Sequence, residues 1–380
     1  MSSSQTYSPF RSVLLREWRR MTSRRLYFGV CIILPLFTLF FMATIFGNGQ
    51  MENIPIGIVD QDNTASSRAI ARNISAVPTF KVTRHFVNEE AARKAVQKKE
   101  IYGYLSIPPK FEQDAISGKN ATLSYYYHYA LLSVGGELMA AFETSLAPVS
   151  LSPIVMQAVA LGVEQDKITT FLLPVQASNH PIYNPSLDYS VYLSQPFFFV
   201  LFQVLILLIT VYAVGIEIKF RTADEWLFVA KGNMVTAVLG KLLPYTIIFI
   251  LIGWLANSVM FGILHIPFQG SWLLMNMLTA LFVVATQALG LFLFSLFPAI
   301  SLIISIVSMV GSLGATLSGV TFPVTNMYPL VRDASYLFPV RHFTEMMQNM
   351  LYGGSGFIYL WPSVVILCIF PLLAFLLLPH

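Results

Sequence analysis

YFGVCIILPLFTLFFMATIF, residues 27–46, is an almost unbroken apolar run, and Arg11, Arg16, Arg19, Arg20, Arg24 and Arg25 stand just ahead of it. A helix rises 1.5 Å per residue, so ~20 apolar residues cross a ~30 Å hydrocarbon core. The run is too long for the apolar stretch of a secretory leader, and it has no small-residue cleavage site. It reads as an uncleaved anchor. Working outward, residues 47–190 have ordinary mixed polarity, and the chain then turns hydrophobic again almost to residue 380.

Five further runs read as spans: 191–216, 234–264, 272–297, 300–322 and 357–378. Only 11% of the chain is charged and 56% is hydrophobic, against ~25% charged in a soluble domain. The fold class expected is therefore an α-helical integral membrane protein with six spans. An α/β extracytoplasmic domain, 47–190, is inserted between the first and second. Residues 1–26 form a cytoplasmic interfacial helix, and 191–380 a five-span domain. Both cysteines, Cys31 and Cys368, fall in spans, so the inserted domain has no disulfide or thiol metal site.

Charge placement sets the orientation. Basic residues flank the first span and recur after the second, at Lys219, Arg221, Lys231 and Lys241, while the connections at 266–270 and 298–299 have none. The positive-inside rule puts both termini and the loop at 217–233 in the cytoplasm. The eleven Lys and Arg of the inserted domain do not oppose this, because long domains translocate largely regardless of charge. Phe10, Val13, Leu14, Trp18 and Met21 recur at helical spacing beside the arginines, the pattern of a helix lying in the interface. A plain topogenic basic flank is the other reading. Residues 319–356 are apolar but broken by Pro323, Pro329 and Pro339, and carry Arg332, Asp333, Arg341, His342 and Glu345. They read as short re-entrant or outer helices.

Within 47–190, runs at 54–59, 80–86, 101–107 and 121–129 read as strands. Runs at 64–77, 89–98, 108–117, 134–146 and 153–163 read as helices. Such alternation argues an α/β layer fold. The sharpest enzyme signal is Asp60-Gln61-Asp62-Asn63-Thr64 directly after a strand. It has the shape of a haloacid-dehalogenase-like phosphatase nucleophile loop, but no acidic pair follows a later strand to complete a Mg²⁺ site. A turn with a helix N-cap fits the same residues.

Absences narrow the rest. No Lys is followed by Ser or Thr, so there is no nucleotide-binding P-loop. The six His show no metal-ligand spacing, and no basic and aromatic interleaving points to nucleic acid. Gln203, Asn257, Asn276 and Gln287 are the polar residues within spans. They read as interhelical glue or as substrate contacts. With Phe199 and Phe202, the residues Gln203, Asn257 and Gln287 make up a candidate substrate path, although the rings equally suit packing against lipid. Gly311, Gly314, Ala315 and Gly319 suit close helix packing at a dimer seam.

Set in order, these features resemble a known family: Arg16-Glu17; Pro35; Ile58-Val59-Asp60-Gln61-Asp62-Asn63 with Ser67-Arg68; Ile107-Pro108-Pro109 with Phe111; Tyr183-Asn184-Pro185; Glu217 with Thr222, Asp224 and Glu225; Gly240-Lys241; Ser318-Gly319, Phe322-Pro323, Pro329, Pro339 and His342. The chain is similar to the permease subunits of type-2 ABC exporters, in the branch with a large domain after the first span. That resemblance implies a dimeric pathway, made with a second copy or a sister permease and energised by ABC ATPase subunits on separate chains. ATP and Mg would sit on those partners, with no cofactor or catalytic residue in this chain. It also implies an inner-membrane location and, at the outer domain, an envelope adaptor. The ATPase-coupling residues expected are Arg16, Glu17, Glu217, Arg221, Thr222, Asp224, Glu225 and Trp226, with Trp226 and Leu227 filling an apolar cleft and Asp224 and Glu225 pairing with basic residues at its rim. One departure stands out: the class usually has Gly-Thr in this loop, and here Arg221 precedes Thr222. Two alternatives stay open, a membrane-anchored phosphatase using Asp60–Thr64 and a non-transporting sensor whose outer domain binds a ligand.

Overall fold

Proline placement explains the local shape of the first span. Pro35 has no N–H to donate and crowds the carbonyl four residues before it, at Cys31. The helix answers by widening to a π turn over Gly29–Ile33 before continuing through Leu34–Ile45. The second span does the same at Ser190–Ser194, just ahead of Pro196. The computed structural model describes residues 8–45, 49, 51–117, 119, 121–160, 184, 188, 190–353 and 357–377. Expectations at residues 1–7, 46, 161–163, 183, 185, 354–356 and 378 lie outside those.

The chain divides into two units, Met1–Gly49 with Pro181–His380, and Gln50–His180. In the first unit α1 (Pro9–Ser23) precedes α2 (Arg25–Ile45). Then come α7 (Ser190–Lys219), the short α8 (Ala223–Val229), α9 (Met234–Ile263), α10 (Trp272–Leu296) and α11 (Ile300–Leu317). A turn of 3-10 helix at Val324–Asn326, α12 (Pro329–Ser335), α13 (Pro339–Gly353) and α14 (Phe357–Leu377) complete it. Among the described residues six helices are long and apolar enough to cross a membrane: α2, α7, α9, α10, α11 and α14.

Helix α7 is the axis of this unit, and α2, α9, α10, α11 and α13 all pack on it. Its Phe198, Phe199 and Phe202 are fully buried with Phe249, Phe282 and Phe343. The Phe199 and Phe343 ring centroids are 4.6 Å apart, as are those of Phe282 and Phe343. Since lipid tails are as apolar as these rings, the association rests on close packing rather than on escape from water. Each aromatic pair adds ~0.5–1.5 kcal/mol.

One expectation is corrected here. The fifth span stops at Leu317 rather than 322, because Gly319 takes a left-handed φ of +87° that ends the helix. Of its small residues, Gly311 and Gly314 make the close helix packing expected, here within the chain. A Cβ on Gly311 would stand 2.6 Å from Val204 Cγ2, and one on Gly314 2.8 Å from Gln203 Nε2, so both glycines let α11 lie directly on α7.

The second unit has β1 (Ile54–Asp60), α3 (Ala65–Ser75), β2 (Phe80–Phe86), α4 (Glu89–Gln97), β3 (Gly103–Ile107), α5 (Phe111–Ile116), β4 (Ser124–Tyr127) and α6 (Leu132–Ala160). The sheet order is β2-β1-β3-β4, with β1 parallel to both neighbours and β4 antiparallel to β3. Central β1 is covered on both faces, which is why it reads as a continuous apolar run. Ile56, Ile70, Ile74, Leu105 and Phe142 fill one layer, and Val59, Ala92, Ala95 and Tyr104 the other. The two helices expected at 134–146 and 153–163 form one helix, α6, which runs through Pro148 and Pro153. A proline removes one backbone hydrogen bond and can kink a helix without ending it.

Candidate functional site

Helix α1 buries a face made of Val13, Glu17 and Met21, spaced four apart. The midpoint of that face is a carboxylate. Phe10 and Trp18, on the apolar face expected to lie in the interface, are 38% and 48% exposed. Gly240 makes the approach possible, because a Cβ there would meet Val13 Cγ1 at 3.0 Å. Close packing brings Glu17 against α9, where Lys241 Nζ lies 2.6 Å from Glu17 Oε2 and 2.7 Å from Glu217 Oε1. Tyr245 Oη donates to Glu17 Oε1 at 2.6 Å.

Glu217, at the end of α7, is the hub. Arg16 grips it bidentately, Nη1 to Oε1 at 2.8 Å and Nη2 to Oε2 at 3.1 Å. Arg20 and the Thr222 hydroxyl also donate to it. Three cations therefore enclose two carboxylates that are 1% and 0% exposed. Burying unpaired charge costs several kcal/mol per ion, so such a cluster survives only with every carboxylate oxygen engaged, and here each one is. The cluster ties α1, the end of α7 and the first turns of α9 into one rigid piece.

The chain then turns sharply into α8. Arg221 N–H donates to Ile218 O at 3.1 Å and Thr222 N–H to Glu217 O at 2.9 Å, with Arg221 at φ +53°. This is a Schellman closure, which favours glycine at the left-handed position. The Gly-Thr usual in the resembling class has its physical reason here, and Arg221 occupies the glycine's place. A second closure ends α8, with Lys231 at φ +54° and Gly232 at φ +74°.

On α8 the expected anchor, Trp226, faces inward. Trp226 is 4% exposed; its Nε1–H donates to Ala237 O at 3.1 Å, and Lys241 Nζ stands 5.3 Å from its ring centroid. It belongs to the chain's own core and lines an apolar cavity of about 310 Å³ with Leu227, Met234 and Val238. Phe228, two residues on, is 84% exposed. Arg221, Asp224 and Glu225 are exposed and Thr222 half-buried. The eight expected coupling residues thus split into an inner set, Arg16, Glu17, Glu217 and Trp226, and a surface set, Arg221, Asp224 and Glu225, with Thr222 between. Arg20, Lys241, Tyr245 and Phe228 were missed. Lys241 was read as a topogenic charge, yet it falls inside the third run, where a cation needs a partner. That was the available signal.

The candidate substrate path is placed in the interior. Phe199, Phe202, Gln203, Asn257 and Gln287 are all buried. Gln203 Oε1 accepts from Val340 N at 2.9 Å, which pins α13 to α7. Asn257 Nδ2 donates to Thr279 Oγ1 at 3.0 Å and Asn276 Oδ1 at 3.1 Å. Gln287 Oε1 accepts from Thr246 Oγ1 at 2.7 Å. The amides hold helices together, and the rings pack on protein rather than on lipid.

Asp60 is engaged by its own loop. Oδ1 accepts from Asp62 N at 3.0 Å and Asn63 N at 2.9 Å, and Oδ2 from Ser67 Oγ at 2.7 Å. Thr64 caps α3 reciprocally with Ser67. Asp62 Oδ2 accepts from Glu112 N at 3.1 Å. Among the described residues no three His, Cys, Asp or Glu stand together to hold a metal ion. The loop has the geometry of a turn and cap.

Comparison with known proteins decides the family. Residues 25–378 match the family described as ABC-2 family transporter protein. The chain belongs to the ABC-2 transporter family. It is similar to the inner membrane transport permease YhhJ of Escherichia coli K12, at 21% identity over 337 residues, which cover 84% of this chain and 82% of that protein. It is also 21% identical over 352 residues to the probable multidrug ABC transporter permease YbhS of Escherichia coli K12, covering 91% and 89% of the two chains. The probable multidrug permease YbhR matches at 23% over 182 residues. The chain is thus a multi-pass transmembrane permease of the ABC-2 family, and an ATPase partner goes with that family in general.

Proposed function

We propose that this ABC-2 permease is the transport subunit of an exporter driven by separate ABC ATPases, with α8 as the element that docks them. The carrying observation is the Glu217 cluster. It makes α1, α7 and α9 move as one body, while α8 hangs from that body with Phe228, Asp224 and Glu225 facing outward. A ring in a partner's cleft with paired charges at the rim is how interfaces concentrate binding energy, ~2 kcal/mol or more at an anchor. A push on α8 passes through Thr222 and Glu217 to two spans at once.

In this reading the chain lies in the inner membrane with both termini and α8 in the cytoplasm, following the arginines before α2. The α/β unit is extracytoplasmic, receives substrate or meets an envelope adaptor, and the pathway forms between two permeases, either two copies or this chain with a sister. Because the candidate path residues are buried among the chain's own helices, substrate passes along the face between permeases. The substrate is an amphiphilic, drug-like molecule, a class favoured by the multidrug names of two relatives and by the apolar spans. ATP and Mg belong to the ATPase. The purified permease alone is expected to hydrolyse no ATP, and co-expression with its cognate ATPase to yield a stable hydrolysing complex. Hydrolysis by the rigorously purified permease would refute the assignment.

A further inference from the structure

Tyr192 and Glu217 lie at opposite ends of α7, roughly 37 Å apart at 1.5 Å per residue. Around Tyr192, where α7 begins and α11 ends, a polar cavity of about 820 Å³ opens against α12 and α13. Tyr192, Arg332, Asp333, Tyr336, Arg341 and Glu345 line it. It shares no residue with the coupling cluster or the buried amides.

Arg341 is the unusual member. It is only 7% exposed, yet its buried Nε has no hydrogen-bond partner. Nη1 reaches Glu345 Oε2 at 3.1 Å and His342 Nδ1 at 3.3 Å, and the guanidinium sits 4.2 Å from the Tyr336 ring centroid. A guanidinium has five donors, and leaving a buried one idle is costly. Arg332, with Nε 3.6 Å from Asp333 Oδ1, adds an exposed arginine–carboxylate pair. The cavity therefore offers two guanidiniums and two carboxylates, with no net charge of its own.

That balance selects a ligand carrying both signs. Arginine forks match phosphate oxygens bidentately, while the exposed carboxylates of Glu345 and Asp333 suit an ammonium. The setting supplies the rest: the cavity stands at the ends of two spans, the level of lipid headgroups. Beside it, Leu330 and Leu337 are 74% and 67% exposed, as befits a segment lying in the interface. We propose that this cavity binds the headgroup of a zwitterionic phospholipid, phosphate on Arg341 and Arg332 and ammonium on Glu345 and Asp333.

The test is lipid retention on the delipidated full-length protein, read by native mass spectrometry, independent of any ATPase. The probes are phosphatidylethanolamine, phosphatidylglycerol with the same acyl chains, and soluble phosphoethanolamine as competitor. Wild type is expected to bind phosphatidylethanolamine about tenfold more tightly than phosphatidylglycerol. Arg332→Ala should weaken both lipids, and Glu345→Gln should erase the preference between them. Both side chains are exposed, and because Glu345 also pairs with Arg341 and Ser363, the unfolding midpoint of each variant is measured beside wild type. Displacement of lipid by millimolar phosphoethanolamine would uphold the headgroup chemistry but overturn the lipid source. Equal retention of the two lipids by wild type, or retention unchanged in both variants, would overturn the proposal.

Discussion

Lys241 Nζ lies 2.6 Å from Glu17 Oε2, joining the third span to a helix that precedes the first. Both side chains are buried, so neither has water to fall back on. Lys241→Met removes the only cation within hydrogen-bond reach of Glu17 among the described residues, since Arg20 is 3.8 Å away. A cost of about 3–5 kcal/mol is expected for stranding a buried charge. Thermal unfolding of the purified permease checks this. Adding Glu17→Gln should recover part of the loss, a coupling that independent sites would not show.

Arg221 holds a backbone conformation that side chains with a Cβ disfavour by about 1–2 kcal/mol. Arg221→Gly should raise the unfolding midpoint, by a gain of about 1 kcal/mol after glycine's own entropic cost. An unchanged or lowered midpoint would mean the Arg221 side chain contributes more than its backbone loses.

His342 accepts from Arg341 at Nδ1, so its proton sits on Nε2 and points to Tyr336 O at 3.1 Å. Burial drives its pKa down, against a rise from the Tyr336 carbonyl. The sign follows from proton counting. Below about pH 6.5 the unfolded chain binds a proton that the folded one refuses, so stability is full above that pH and falls as pH drops toward the depressed folded value. Unfolding midpoints between pH 8 and pH 5 should show this decline, and His342→Gln should flatten it.

Orientation is tested by labelling. With Cys31 and Cys368 replaced by alanine, a cysteine at Ser117 should react with an impermeant thiol reagent in cells whose outer membrane is permeabilised. A cysteine at Thr222 should react only after the inner membrane is opened. Equal reaction of both from outside would sink the proposed topology.

Much of the architecture was legible, for physical reasons. Span α2 reads from residues 27–46 because length and apolarity alone decide whether a helix can cross a bilayer. The strands read because β1 is apolar throughout and ends in turn residues, Asp60 to Asn63. The site was legible only in part. Arg16 and Glu217 are separated by 201 positions, and no local pattern pairs such distant charges. Periodicity read α1 as a helix lying in the interface, but a hydrophobic count cannot foresee a buried carboxylate, Glu17, with its lysine waiting on α9. The inward turn of Trp226 was hidden for a related reason: an aromatic in a short loop can face either way, and the Ala237 carbonyl that holds its Nε1–H belongs to the next helix.

The docking role of α8 is the central claim, and association with the cognate ATPase measures it most directly. Phe228→Ala with Asp224→Lys and Glu225→Lys changes only exposed side chains, so the permease should stay in the membrane with a wild-type melting temperature. Pull-down of the ATPase should fall roughly 30-fold, the equivalent of about 2 kcal/mol at the anchor. Trp226→Ala is the control, expected to lower stability by about 3–5 kcal/mol as a buried ring lost to a cavity. ATPase recovery by the triple variant equal to wild type would contradict the account.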